Sequence, residues 1–404
     1  MALGSFELAF CRLQSTMQRL IFPNESNCDE PSVASTASVN TLALRCPWLL
    51  WLRFILLLSG LLGGVTLCGC LTKQNNELVV YSALDREFSQ SVLNDLGELL
   101  QMQVRVKYDQ ESNKTVGLAT ELIQTQQNPK ADIFWNNEIL HTLRLERLGL
   151  LAPITEADLS RFPKAYRSPR GHWCGFAARA RVLIVNTDLL PDASLRPDSI
   201  YDLADPKWAG KCTMARPVFG TSATHAAVLL SALGEDQGMK LLTAMTSNAI
   251  VQGGNKQVAQ KVAAGQFAFG LTDTDDAMIE VERGEPVAIV FPDQLEDQCG
   301  TLLIPNTLAI IKGGPNPDRA QRMLKRLLES DVERRLASGA SAQLPLAICT
   351  AEPWRVTAKW LSTANLSAGN EPIPRKLKTM SVDFRAAAQS WDQHKMALGE
   401  ITAK

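Results

Sequence analysis

The sequence predicts an α/β protein with two lobes, each a mainly parallel sheet covered by helices on both faces. Short apolar segments alternate with amphipathic ones between residues 77 and 149, and again between 211 and 284, as in βαβ units. Two extended runs, 173–187 and 300–311, are longer than ordinary strands. We therefore expect the chain to cross between the lobes twice, with a ligand cleft between them.

The first lobe begins with the apolar strand Glu77-Leu78-Val79-Val80-Tyr81-Ser82. A helix follows, because Val92, Leu93, Leu96 and Leu99 recur at helical spacing. The remaining predicted elements alternate in the same way: strand 104–108, helix 114–126, strand 131–135 and helix 140–148, which Gly149 ends.

The second lobe repeats this alternation after the first crossing. Its predicted elements are strand 211–214, turn 217–222, helices 223–233, 236–246 and 257–264, strand 266–271 and helix 277–284. The tail 312–404 is predicted to be largely helical, with breaks at Pro315-Asn316-Pro317, Pro345 and 371–374.

The N-terminal segment indicates export. Residues 1–45 are rich in Ser, Asn and Thr and show no sustained period, and they are predicted to be disordered or to precede the true start. Residues 46–69 have the features of a lipoprotein signal peptide, with an apolar run over 54–67. The run ends in Leu67-Cys68-Gly69-Cys70, which resembles a lipobox and implies lipidation at Cys70, with 70–76 as a tether. An uncleaved anchor over 47–67 is the alternative, and it also places the rest of the chain outside the cytoplasm.

The net charge and the cysteine content indicate which partners and which disulfides to expect. A net charge of -1, with no basic cluster, gives no reason to expect a nucleic-acid partner. Cys174, Cys212, Cys299 and Cys349 follow the signal segment, and an even number in an oxidising compartment predicts two disulfides whose pairing stays open. The alternative is that some of them are small buried apolar residues.

The stretch from Gly270 to Ala277 is the strongest candidate for a ligand site. Asp273, Asp275 and Asp276 stand where a predicted strand ends and a helix begins. In open α/β sheets ligands bind at that edge. The alternative is ordinary helix-start chemistry, with Asp273 as N-cap and the other two carboxylates in the first turn.

The order of elements resembles the periplasmic solute-binding proteins of bacterial ABC importers, closest to the ferric-ion-binding branch. Two stretches carry most of the likeness: Ala178-Arg179-Ala180-Arg181-Val182-Leu183-Ile184-Val185-Asn186-Thr187 and Asp205-Pro206-Lys207-Trp208-Ala209-Gly210-Lys211. With the two crossings, this predicts a first lobe of 77–180 and 304–350, a second lobe of 181–303, and a C-terminal helical segment, 351–404, packed on the lobes.

The resemblance implies iron, or another hard metal cation, bound together with a synergistic anion. The implied ligands of a cation or cationic group are Asp273, Asp275, Asp276, Asp85, Glu138 and Asn137. Paired tyrosines bind Fe³⁺ in the family, but their place falls at Thr274-Asp275, and no tyrosine follows Tyr201. A tyrosinate site of the usual form is therefore not expected.

The anion is expected at the starts of two predicted helices and on the first crossing strand. The candidate residues are Thr221, Ser222, Asn255, Arg179 and Arg181. Each has a simpler alternative. The hydroxyl residues could be helix caps, the asparagine a turn residue, and the arginines partners of acidic residues across the hinge.

The resemblance implies a monomeric, membrane-anchored lipoprotein of the periplasm or cell envelope, which delivers its ligand to an ABC permease and its ATPase. It needs no cofactor apart from the bound metal. An alternative cargo is a small organic solute carrying an amine and an oxyanion, similar to 2-aminoethylphosphonate or a polyamine. A hydrolase using His172 and Cys174 is disfavoured, because no third orienting group is evident, and the chain is predicted not to be an enzyme.

Overall fold

The computed structural model describes residues 77–109, 116–347 and 377–402, together with the backbone of two short strands at 366–368 and 371–372. These residues belong to one compact unit, Asn75–Lys404. The predicted signal peptide, Cys70, the tether and Cys349 lie outside the described residues, so the predictions made for them stay predictions. Among the helices of the described part, none is long and apolar enough to span a membrane.

Strands and helices alternate along the described chain as the sequence predicts. The strands are β1 Glu77–Ser82, β2 Gln103–Tyr108, β3 Ile133–Asn136, β4 Leu151–Ala152, β5 Trp173–Asn186, β6 Cys212–Ala215, β7 Ile250–Gln252, β8 Phe269–Asp273, β9 Val287–Val290, β10 Leu303–Ile311, β11 Leu366–Ala368 and β12 Glu371–Pro372. The helices are α1 Arg86–Leu99, α2 Val116–Gln124, α3 Leu140–Arg147, α4 Gly220–Leu233, α5 Glu235–Asn248, α6 Asn255–Ala263, α7 Thr274–Glu282, α8 Pro317–Leu327, α9 Ser330–Ser338 and α10 Phe384–Ile401.

The first sheet has the strand order β2-β1-β3-β10-β5, with β4 paired to the end of β10. Strand β1 runs parallel to β2 and β3, and β10 runs antiparallel to β3 and β5. Because parallel neighbours end at the same edge, the residues after β1 and β3 lie close together. Asp85 and Asn137 are both in these positions.

Strand β5 is shared by two sheets. Its first half pairs with β10 as far as Ala180, opposite Leu303, and its second half pairs with β8 from Arg181, opposite Asp273. The second sheet has the order β7-β6-β8-β5-β9-β11-β12. Strand β10 pairs with first-sheet strands, so the chain returns through the segment between β9 and β10.

Close packing of α6 against the second sheet depends on Gly270 in β8. A Cβ atom there would lie 2.6 Å from Cγ1 of Val258 and 2.9 Å from the carbonyl oxygen of Thr213. A side chain would therefore push α6 off the sheet. The close approach brings the first turn of α6 beside the end of β8, where α7 begins.

The C-terminal part combines helices with a short strand pair, because β11 and β12 add an edge to the second sheet beside β9. Its last helix, α10, packs on α4 and on α3. An ion pair joins Arg147 to Asp392, and Arg385 donates to Glu146 at 3.1 Å. These contacts attach α10 to elements that flank both sheets.

The prediction of two disulfides is wrong for the described cysteines. Cys174, Cys212 and Cys299 are free thiols. Cys174 and Cys212 are fully buried in apolar clusters, as small apolar residues would be.

Candidate functional site

A cavity of about 60 Å³ lies where the ends of β1, β3 and β8 face the starts of α4 and α6. At roughly 10–15 Å³ for each water molecule, it has room for a few water-sized groups. We call it the cleft cavity. It is lined by Asp85, Asn137, Arg179, Ala215, Arg216, Phe219, Gly220, Thr221, Ser222, Gly253, Gly254, Asn255, Lys256, Asp273, Asp275 and Asp276.

Asp273 is fixed by contacts within the second sheet and its helices. It occupies the N-cap position of α7, yet its side chain accepts no hydrogen bond from that helix. One carboxylate oxygen accepts from Nη1 of Arg181 at 2.7 Å, and the other accepts from the Thr221 hydroxyl and from Nδ2 of Asn255. Asp273 therefore stands at the N-cap position, as the helix-cap alternative proposed, but its side chain does not cap the helix.

The charge of Asp273 is compensated inside the protein. Burial alone would raise the pKa of this carboxyl, but Arg181, Arg179 and the hydroxyl of Thr221 outweigh burial and lower the pKa below its ordinary value. Asp273 is 2% exposed and Arg181 is 1% exposed, so the pair is shielded from water. We conclude that Asp273 positions its neighbours and is already neutralised before any ligand arrives.

Asp275 and Asp276 stand in the first turn of α7, because the helix begins at Thr274. One oxygen from each of Asp273, Asp275 and Asp276 lies within 4.8 Å of the others. Asp275 also accepts the backbone N–H of Asp276 at 3.1 Å. Asp85, from the first sheet, lines the same cavity. The structure therefore brings together the four aspartates that the sequence singled out.

The two arginines of β5 point to the same face of the strand but occupy different places. Arg179 lines the cleft cavity, and its Nε lies 2.9 Å from Oδ2 of Asp275. Burial alone would lower the pKa of Arg179, but Asp275, Asp273, Asp85 and Asp276 raise it. Arg181 lies behind Asp273 and does not line the cavity. Both arginines thus pair with acidic residues, as the simpler alternative proposed.

Glu138 is held away from the cavity, contrary to the prediction for it. Its carboxylate accepts hydrogen bonds from the backbone N–H groups of Leu140 and His141, from Nδ2 of Asn136 and from Oγ1 of Thr224. These donors consume both oxygens, so Glu138 orders the start of α3 and ties it to α4. Its neighbour Asn137 does line the cavity.

The predicted anion residues sit at the first turns of two helices. Helix α4 begins at Gly220, three residues earlier than expected, so Thr221 and Ser222 belong to its first turn. Their hydroxyls donate to Asp273 and to Oδ1 of Asn255 respectively. Both hydroxyls are therefore already engaged in hydrogen bonds within the protein. An anion would instead be bound by the backbone N–H groups of the first turns, which have no acceptor within a helix.

Two cationic residues at the cavity were missed from the sequence. Arg216 follows β6 directly, and Lys256 is the second residue of α6. Lys256 lies 3.6 Å from Glu87 of α1, an ion pair between helices that flank different sheets. Arg216 follows a strand and Lys256 lies at the start of a helix. These positions could have identified both residues from the sequence, as the same kind of position identified the aspartates.

The described geometry disfavours a thiol nucleophile. Burial raises the pKa of Cys174 well above its ordinary value, so the thiolate form is suppressed. Nδ1 of His172 lies 3.5 Å from the Glu146 carboxylate, away from the cleft cavity. This pair therefore lacks the low thiol pKa that nucleophilic catalysis requires.

Comparison with known proteins identifies the family. The family model described as bacterial extracellular solute-binding protein matches residues 128–368, more than half of the chain. The chain belongs to this family. Iron uptake protein A2 of Synechocystis sp. is 31% identical over 250 residues, which cover 57% of this chain and 70% of that protein. An Fe(3+)-binding periplasmic protein of Serratia marcescens is 29% identical over 194 residues, covering 48% of this chain and 56% of that protein.

Solved structures of ferric-ion-binding proteins have the same fold. A ferric binding protein from Campylobacter jejuni superimposes with a TM-score of 0.67 at 22% identity, covering 80% of this chain and 99% of that one. The two-lobed α/β fold predicted from the sequence is thereby confirmed. As in the prediction, membership of a solute-binding family implies a binding role rather than a catalytic one.

Proposed function

We propose that this solute-binding protein captures iron outside the cytoplasm, as a cation with a small companion anion, and delivers it to the permease and ATPase of an ABC importer. One observation carries the proposal. Oxygen donors from both sheets meet in one cavity, with Asp85 and Asn137 from the first sheet opposite Asp275 and Asp276 of α7. Hard cations bind oxygen ligands of this kind.

The carboxylates of the cavity favour a cation. Oxygens of Asp273, Asp275 and Asp276 lie within 4.8 Å of one another, while the basic residues Arg216 and Lys256 line other parts of the cavity and Lys256 pairs with Glu87. Like charges crowded at this distance are stabilised by a cation between them. The first turns of α4 and α6 then supply backbone N–H donors for an anion on the other side. The iron-uptake relatives support iron among the hard cations.

The remaining features of the proposal follow the sequence. We assign the first lobe to 77–180 and 304–350 and the second lobe to 181–303, so that the cleft cavity lies between them. Lipidation at Cys70 would attach the protein to the envelope membrane, with 70–76 as the tether. The protein would act as a monomer and hold no resident cofactor besides its cargo.

Iron binding is tested by equilibrium titration and thermal unfolding of the purified protein, with ferric citrate, citrate alone and Fe²⁺ under nitrogen as ligands. A ligand at about 100 times its dissociation constant should stabilise the folded state by roughly 2.7 kcal/mol. Stabilisation by iron in at least one form, with one iron bound per chain and no stabilisation by citrate alone, is the expected result. No response to iron in any form would refute the proposal.

A pair of matched variants tests whether the cleft cavity is the site. Asp276→Asn should weaken iron binding by at least about tenfold, because it removes one negative charge from the cavity. Asp297→Asn removes the same charge from an exposed residue that does not line the cavity, and iron binding should be retained. Equal losses in the two variants would point to a non-specific charge effect.

A small organic solute with an amine and an oxyanion is the second candidate. Arg179 favours it, because a guanidinium among the aspartates can be replaced by an ammonium group as well as by a metal ion. None of the four tyrosines lines the cavity, so the phenolate ligands typical of Fe³⁺ sites are absent from it. Stabilisation by 2-aminoethylphosphonate or a polyamine, without any effect of iron, would decide for this candidate.

A further inference from the structure

Arg179 holds the place that a bound cation would take. Its side chain is buried, at 4% exposure, and its guanidinium lies among the aspartates of the cleft cavity. Nε is 2.9 Å from Oδ2 of Asp275, and Nη1 is 4.0 Å from Oδ2 of Asp273. A metal ion bound through Oδ2 of Asp275 competes with this ion pair for that oxygen, because Oδ1 already accepts the backbone N–H of Asp276.

We propose that Arg179 couples cation binding to anion binding. The incoming cation displaces the guanidinium from Asp275, and the displaced guanidinium binds the companion oxyanion together with the first turns of α4 and α6. This inference rests on the proposed function, and it names the residue that makes the two ligands depend on each other.

The guanidinium has suitable chemistry for the second position. It carries five N–H donors in a planar fork that matches two oxygens of a phosphate or carboxylate. Gly220, Ser222 and Asn255 line the same cavity as Arg179, so the helix starts and the guanidinium face one small space. The donor Nη2 has a long contact, 3.5 Å, to Oδ1 of Asn306, which holds it weakly.

Arg181 explains why the aspartate cluster survives the displacement. Its Nη1 donates to Asp273 at 2.7 Å and to Oδ1 of Asn255 at 3.1 Å, and its Nε contacts Nδ1 of His225 at 3.4 Å. These contacts do not involve Asp275. Asp273 therefore keeps its partner when Arg179 leaves, and the exchange is confined to the carboxylates that meet the cargo.

This coupling predicts the direction in which each ligand changes the affinity for the other. The anion should raise the affinity for the cation, and the cation should raise the affinity for the anion by the same factor, about 10-fold within the roughly 5–150-fold range of coupled sites. Replacing Arg179 by glutamine removes the competitor. Affinity for the cation without the anion should then rise by about 10-fold, and the effect of the anion should disappear. A merely damaged site would bind more weakly in both conditions.

The experiment measures Fe²⁺ affinity under nitrogen, in a buffer free of oxyanions and again with inorganic phosphate added. Fe²⁺ is used because it stays soluble without a complexing anion. The full chain is compared with Arg179→Gln and with the control Arg283→Gln. Arg283 is an exposed residue directly after α7 that does not line the cavity, so the control removes the same charge nearby.

Phosphate-dependent Fe²⁺ binding in the wild type and in Arg283→Gln, with tighter and phosphate-independent binding in Arg179→Gln, would support the coupling. Weaker binding in Arg179→Gln with its phosphate dependence intact would overturn it. So would Fe²⁺ failing to bind either protein while ferric citrate binds both. If the wild type binds iron in no form, the proposed function itself fails, and that result is distinct from loss of the coupling alone.

Discussion

Replacing Asp273 by asparagine should reduce the stability of the fold far more than it reduces the affinity for the ligand. The carboxylate is the buried counter-charge of Arg181, 2.7 Å from Nη1, and it also accepts from Thr221 and Asn255. Removing one partner of a buried ion pair leaves the other charge uncompensated, which costs about 3–5 kcal/mol. The new amide would in addition point N–H donors at a site already filled with donors.

Urea unfolding at neutral pH, compared at matched m-values, measures the loss directly. The matched control is Asp276→Asn, which removes an equal charge three residues later, from a partly exposed side chain. We expect the control to change the free energy of unfolding by less than about 1 kcal/mol. The two variants should therefore separate a structural carboxylate from a ligand-binding one.

The pH dependence gives a second check on the same pair. The pKa of Asp273 is lowered in the folded state, so its contribution to stability is present above the unfolded value of about 3.9 and is lost as the pH falls through the folded value. The gap between wild type and Asp273→Asn should accordingly close in strong acid. A loss below about 1 kcal/mol at neutral pH would refute our reasoning, because Arg181 would then have another counter-charge.

Three further predictions follow from buried groups. Burial lowers the pKa of His225 to about 3, so its contribution is complete above the unfolded pKa of about 6.5 and lost on acidification. At about pH 4.5 this costs roughly 2–3 kcal/mol, which calorimetry should show and which His225→Phe should remove. Glu138→Gln should destabilise the fold by about 1–3 kcal/mol in urea, because an amide then faces backbone donors; an unchanged midpoint would contradict this. In the native protein a thiol reagent should label neither Cys174 nor Cys212, by mass spectrometry, and labelling of Cys174 would reopen the nucleophile hypothesis.

The relation between Asp273 and its neighbours shows how far sequence reasoning extends into the site. The acidic stretch was located because a strand ending and a helix beginning are visible in local periodicity. That two sequence neighbours would differ in role was not visible. Both residues line the cavity, but Asp273 is buried and bonded to Arg181 and Thr221 while Asp276 is partly exposed, and this difference depends on where α4 and α6 place their side chains.

What the sequence by itself determined is the set of features that short-range chemistry controls. Apolar period identifies β1, β5 and α1, and the places where strands end locate the aspartates at one edge of the sheets. These signals depend on residues only a few positions apart, so they can be recognised from the sequence alone.

The tertiary structure decided which partner each polar side chain takes. Thr221 reaches Asp273 across 52 residues, Arg181 reaches it across 92, and Thr224 reaches Glu138 across 86. A buried carboxylate accepts whatever donors packing brings within about 3 Å, and that selection depends on the close approach of helices at Gly270 and on the crossing of β5. For this reason Glu138 holds α3 and α4 together, Asp273 is the counter-charge of Arg181, and Arg179 is the β5 arginine that lines the cleft cavity.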